Sequence, residues 1–105
     1  MGSVIDTGLW PMQEGINEII ATTRMNAAPM GIICRDNRLM MAVYRSSHTA
    51  SRIEEGSPVV ANIIHDPVIF VQTAFGDLPE DDFIVETAGD IRYWRLKAAR
   101  SFVVY

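Results

Sequence analysis

Residues 22–49 read T-T-R-M-N-A-A-P-M-G-I-I-C-R-D-N-R-L-M-M-A-V-Y-R-S-S-H-T, and the fold turns on how this stretch is parsed. Ala27 to Cys34 reads as a strand carrying Pro29 and Gly31. Proline has no ladder N–H, so Pro29 marks a sheet edge or a bulge. Arg35-Asp36-Asn37-Arg38 is a tight polar turn that makes a hairpin with the next apolar run. That run, Leu39 to Arg45, is apolar on both faces, with Leu39, Met41 and Val43 alternating with Met40, Ala42 and Tyr44. A sheet with one wet face alternates more cleanly. Both faces are therefore expected to be covered, by a barrel interior on one side and by a helix or second subunit on the other. Ser46 or Ser47 then caps a helix to about Glu55, with Gly56 at its end and Pro58 beyond. Ser51 and Glu54 offer a capping box one turn later.

Outward from this stretch, Ile16 to Thr23 is β-branched and reads as a strand, joined to the next by a turn at Met25-Asn26. Residues 1–15 read as an irregular arm punctuated by Gly2, Gly8, Pro11 and Gly15, with Trp10 pinning it to the domain or to a partner subunit. Downstream, Pro58 to Ile64 is a strand. Asp66-Pro67 opens a helix to about Ala74, which Gly76 stops. Asp77 to Asp82 is an acidic loop, Phe83 to Glu86 a short strand and Ala88 to Asp90 a turn. Residues 91–105 mix Arg92, Arg95, Lys97 and Arg100 with Tyr93, Trp94, Leu96 and Phe102. They end in S-F-V-V-Y, read as a strand with no visible partner. Residues 16–105 thus predict a mainly β fold, an antiparallel barrel with two short helices; a β-sandwich is the alternative.

A chain of 105 residues is one small domain. It buries roughly 60–65% of the surface its unfolded form exposes, enough for one core. With 49% apolar residues, disorder is excluded as a description of the whole. A formal net charge of −4 argues against nonspecific nucleic-acid binding, which draws on clustered positive charge. The single cysteine, Cys34, makes no internal disulfide and reads as a small buried hydrophobe. The opening M-G-S-V-I-D has neither a basic nor an apolar leader region, and no apolar run approaches the ~20 residues that span a bilayer. A soluble, cytoplasmic chain is expected.

The chemistry-bearing groups cluster in the same stretch. Ser47 and Thr49 sit at a helix start, where unpaired N–H groups and about half a positive charge suit an anion. The plainer reading is that Ser47 only caps the helix and Thr49 faces solvent. Arg24, Arg45 and Arg52 can each fork onto a phosphate or remain solvated. In Asn26-Ala27-Ala28-Pro29-Met30, small residues and a strand-breaking proline let a planar ring lie against the backbone; a sharp hairpin entry reads equally well. Asn62, an amide inside V-V-A-N-I-I, bonds either a ligand or a neighbouring backbone group. His65-Asp66 is better explained by Asp66 capping a helix than as half a catalytic pair. The run Asp77, Glu80, Asp81, Asp82 reads as a solvated loop rather than a metal site.

In order, T-T-R, N-A-A-P-M-G, L-M-M-A-V-Y, S-H-T and V-V-A-N-I-I-H-D-P resemble the N-terminal segment of the FMN-binding split barrels of the flavin-reductase-like kind. The likeness is greatest to a small prokaryotic branch with no assigned activity. It covers about Ile16 to Phe75, and weakly Leu96 to Tyr105. It implies that Ser47 and Thr49 meet the FMN phosphate together with an arginine, Arg24 before Arg45 or Arg52. It also implies that the backbone near Ala28, Pro29 and Met30 lies along the isoalloxazine, with Asn26 and Asn62 nearby. The resemblance further implies a homodimer with flavin at the interface, and a nicotinamide or deazaflavin electron donor. Two departures stand out. Arg52 replaces an Asn common in the first helix turn, and the family barrel continues past the point where this chain stops. The functional expectation is an FMN-dependent oxidoreductase of unknown substrate; the alternative is a non-catalytic flavin- or haem-binding barrel or a dimeric assembly module.

Overall fold

The structure, a computed structural model, describes residues 5–6, 14–36, 38–41, 43 and 47–104. Trp10, Asn37, Ala42, Tyr44, Arg45, Ser46 and Tyr105, on which several sequence expectations fall, lie outside the described residues.

Strands β2 (Gly15–Thr23) and β3 (Asn26–Arg35) pair antiparallel without a break, from Gly15↔Cys34 to Thr23↔Asn26. The unbroken register rules out a bulge at Pro29. The edge reading holds instead: β4 (Arg38–Met41) pairs only with Ile32 to Arg35, so among the described residues no strand covers the other side of β3 at Pro29. The turn of this hairpin is Arg24-Met25, with Met25 in the left-handed region at φ 52°, one residue earlier than the sequence indicated. The β3–β4 turn falls where expected, between Arg35 and Arg38.

Ser47 is the N-cap of α1 (His48–Glu54), its hydroxyl accepting from the Ala50 N–H at 3.1 Å. Gly56, at φ 93°, supplies the left-handed residue that ends this segment. After β5 (Val60–Ile63), Asp66 caps α2 (Pro67–Phe75) by accepting from the Val68 N–H at 3.0 Å. The acidic loop contains a short 3₁₀ turn, Glu80–Asp82. Strands β6 (Phe83–Ala88) and β7 (Ile91–Leu96) form a two-stranded hairpin. From sequence β6 reads as ending at Glu86 and β7 as no regular element, because its arginines and aromatics lack a clean alternation.

Strand β8 (Ser101–Val104) corrects a second expectation: it is paired on both sides, with β5 and with β1 (Ile5–Asp6). The arm therefore contributes a strand and is not wholly irregular. The main sheet runs β1-β8-β5-β2-β3-β4, antiparallel throughout.

The sheet curls. Ile19 and Ala21 of β2, Ile32 and Cys34 of β3, Leu39 of β4, Ala61 of β5 and Val103 of β8 share one buried cluster. A flat sheet would hold strands so far apart in its order away from one another; curling brings them round a common interior. Cys34 is buried there, as read. On the outer face, α2 and the β6–β7 hairpin bury Ile20, Ile64, Phe83, Trp94 and Leu96, with Ile69 and Phe70 packed against them. Each fully buried aliphatic side chain contributes about 1.5–3 kcal/mol, and together they close two layers around one barrel wall. This is a split antiparallel barrel with two short helices, not a sandwich.

Two buried polar side chains tie the hairpin to the sheet. The Thr22 hydroxyl donates to the Trp94 carbonyl. The Asn62 amide donates to the Ile20 carbonyl at 2.8 Å, the Thr22 hydroxyl at 2.9 Å and the Val60 carbonyl at 3.3 Å, and accepts from the Leu96 N–H at 2.9 Å.

Candidate functional site

Helix α1 lies against the β2–β3 hairpin, and the contacts between them gather most of the chemistry. Asn26, the first residue of β3, donates through Nδ2 to Thr49 Oγ1 at 3.1 Å. Thr49 is 1% exposed, so it does not face solvent as the plainer sequence reading had it. A hydroxyl that accepts from an amide keeps its own hydrogen for another acceptor. One strand residue before the turn, the Thr23 hydroxyl is fully buried and has no hydrogen-bond partner among the described residues. Thr23 pairs in register with Asn26, which sets an unsatisfied hydroxyl beside the Asn26–Thr49 contact.

At the other end of α1, Arg24 pairs with Glu55, the helix C-cap. Arg52 donates from Nε to the Arg24 carbonyl at 3.3 Å and lies 3.5 Å from Glu55 through Nη1. Ser57 accepts from the Arg24 N–H at 2.9 Å. The two arginines therefore converge on one carboxylate. Their side chains are 52% and 37% exposed, so each ion pair contributes at most about 1 kcal/mol and is screened by salt. The arrangement brings Arg24 to the C-terminal end of α1, away from Ser47, which caps its start.

Along β3, Ala28 is half-buried, Pro29 is exposed and Met30 packs from the rim onto the inner cluster. They form the part of β3 whose outer edge is unpaired among the described residues. Asn62 is elsewhere. It is 0% exposed, and its hydrogen bonds all run to the protein. Its side chain is engaged by the backbone of β2, β5 and β7 and by Thr22, the neighbouring-group alternative of the sequence reading. Asp66 caps α2 and His65 Nδ1 sits 3.2 Å from Arg100, so the two make no catalytic pair. An open cleft of about 460 Å³ between β2 and α2 is lined by Glu18, Ile64, His65, Pro67 and Phe70, and shares no residue with the α1 groups. Among the described residues no three of His, Cys, Asp and Glu come together as metal ligands.

Sequence reasoning missed one cluster. On the β6–β7 hairpin Glu86 accepts from Tyr93 Oη and from Arg95 Nη2, both at 2.7 Å. The Arg95 hydrogen bond, then that of Tyr93, lowers the Glu86 carboxyl below its ordinary value of 4.5. Burial, then Glu86, raises the Tyr93 hydroxyl above 10.0. The Glu86↔Tyr93 register was the missing signal, and it needed β7 to be recognised.

The outer face of the sheet also carries a row of exposed apolar residues across three strands. Ile16 pairs with Ile33 and Ile33 with Met40; they are 76%, 40% and 53% exposed.

A curled antiparallel sheet, a detached hairpin and a short helix laid against the β2–β3 hairpin define a split-barrel domain. More particularly, residues 17–105 match the N-terminal domain of a protein of unknown function, DUF447, and the chain belongs to that family. The FMN-bound DUF447 protein of Methanosarcina mazei is similar in structure, with a TM-score of 0.81 and 35% sequence identity over 88% of this chain. The match takes in 49% of that protein, so this chain spans about half its length.

Proposed function

We propose that this chain binds FMN and acts in a flavin-dependent oxidoreductase whose substrate is unknown. The observation that carries the reading is the FMN-bound family member at 35% identity and a TM-score of 0.81. The residues present fit such a ligand. Ser47, Thr49 and the buried Thr23 offer hydroxyls near the start of α1, and Arg24 and Arg52 stand at the other end of the same short helix, together a set of groups suited to a phosphate. Ser47 and Thr49 hold the phosphate together with Arg24 or Arg52, and Asn26 keeps the Thr49 hydroxyl oriented. The open edge of β3 at Ala28, Pro29 and Met30 gives a ring a backbone to lie along.

FMN supplies the redox chemistry when bound, so the chain needs no acid–base pair of its own; it binds, orients and excludes water. A nicotinamide or a deazaflavin serves as donor. The assembly is a homodimer joined through the Ile16, Ile33 and Met40 row, because three aligned, exposed large hydrophobics on a chain this small call for cover. Met40, at one end of the row, lies on the outer side of β4, which opens the stretch whose sequence is apolar on both faces.

The test is reconstitution. The purified chain is titrated with FMN and with riboflavin, and its visible band is then followed on adding NADH, NADPH or a reduced deazaflavin. Uptake of FMN followed by bleaching supports the reading. Uptake without bleaching by any donor makes the protein a flavin carrier, and a chain that takes up no FMN refutes both.

A further inference from the structure

Glu55 has a role that neither the sequence nor the FMN reading assigned. We infer that Glu55 is an internal competitor for the phosphate, holding Arg24 and Arg52 until a phosphorylated ligand draws them away. The inference rests on the FMN-phosphate reading and deepens it.

Each oxygen of the Glu55 carboxylate takes one arginine: Oε2 meets Arg24 and Oε1 meets Arg52. Two guanidinium groups on two oxygens of one anion is also how a phosphate is gripped. The grip is exposed on both sides, with Arg24 at 52% and Glu55 at 45%, so water already competes for it and breaking it costs little. Arg52 is anchored independently through the Arg24 carbonyl, so its guanidinium stays at α1 when Glu55 lets go.

Reach favours the exchange. Asn26, two residues after Arg24 on the same hairpin, already touches Thr49 with a side chain much shorter than arginine's. Arg24 sits on the same turn and carries the longer side chain, and in the inferred exchange it leaves Glu55 for a phosphate held at α1. A phosphate dianion carries about twice the charge of the carboxylate it displaces, and charge-assisted bonds to it are correspondingly stronger. A neutral ligand has nothing to offer the arginines and leaves them on Glu55. The device therefore favours phosphorylated ligands over their dephosphorylated forms by way of Arg24.

The experiment measures FMN and riboflavin affinity by flavin fluorescence on the whole chain, in the native sequence and in Glu55→Gln, Glu55→Asp and Arg24→Gln/Glu55→Gln. Removing the competing charge is expected to tighten FMN about three- to tenfold and leave riboflavin unchanged. The gain should shrink as salt rises, since the groups are exposed. Glu55→Asp keeps the charge but shortens its reach, and should give a smaller gain in the same direction should Glu55→Gln fold poorly. Adding Arg24→Gln should cancel the gain. If the native chain favours FMN over riboflavin but neither Glu55 variant changes that ratio, Glu55 is a clamp on α1 and the inference is overturned while the phosphate reading stands. If the native chain shows no preference for FMN, the phosphate reading falls and this inference with it.

Discussion

Replacing Asn62 by alanine should unfold this protein more readily than any change at its surface, and the structure lets the loss be worked out. Asn62 is 0% exposed and makes four hydrogen bonds. The Leu96 N–H, in a residue 1% exposed, would lose the Asn62 oxygen as its acceptor, and an orphaned buried donor costs ~1–3 kcal/mol. The amide's two hydrogens are shared among Ile20, Thr22 and Val60, so the lost donations add roughly 0.5–1.5 kcal/mol for each of two bonds. Thr22 keeps its bond to the Trp94 carbonyl and so recovers part of the loss. A total of ~3–5 kcal/mol is expected, a large share of the 5–15 kcal/mol available to a domain. At ~4–8 °C per kcal/mol for a chain of this size, the melting point falls by roughly 12–40 °C. Urea unfolding followed by tryptophan fluorescence reads the change, because Trp94 lies in the cluster the tie secures. FMN affinity per folded molecule should not move, since Asn62 reaches no surface. A loss under about 1 kcal/mol, or weaker FMN binding at unchanged stability, would refute the assignment of Asn62 to the fold.

Three further outcomes are expected. Ser47→Ala with Thr49→Ala should weaken FMN by roughly tenfold to several hundredfold, at ~1.5–3 kcal/mol for each bond to a charged group, and leave riboflavin nearly unchanged; equal losses for the two flavins would end the phosphate reading. Glu86, held below 4.5 first by Arg95, contributes stability that is full above that pH and is lost as pH falls through its lowered value, so Glu86→Gln should flatten the acid limb of a stability–pH curve. An unchanged acid limb in urea titrations would remove Glu86 from that account. Ile33→Glu puts a charge in the middle of the exposed row and should convert a dimer to a monomer in light scattering; a native chain already monomeric at micromolar concentration would contradict the assembly.

The elements that were legible in the sequence are those with local punctuation. Ser47 and Gly56 bracket α1, Asp66-Pro67 and Gly76 bracket α2, and Arg35 to Arg38 closes a hairpin; each is a signal carried within a few residues. What was not legible depends on distant partners. β7 hides because both of its faces are in use: Trp94 and Leu96 enter one cluster and Tyr93 another, so the strand shows no alternation. The pairing of β8 requires knowing that Ile5 and Asp6 lie beside it. Among the site groups, Ser47 as a cap followed from its neighbours, whereas the Asn26–Thr49 contact and the capture of Arg24 by Glu55 span 23 and 31 residues and needed the fold.

The position of β8 bears on how the chain reaches this state. Val104 pairs with Ile5 on one side and Val60 on the other, so the strand between β1 and β5 comes from far along the chain from both. During synthesis the β2–β3–β4 meander can form as soon as it leaves the ribosome, since its turns are short. The free side of β5 has to wait, because β8 is some forty residues away and emerges at ~5–20 residues per second. For those seconds β5 is an open template of unpaired N–H and C=O groups, able to recruit a strand from another nascent chain. Closure by β8 therefore comes after the meander, and until then β5 keeps an edge open to misassembly.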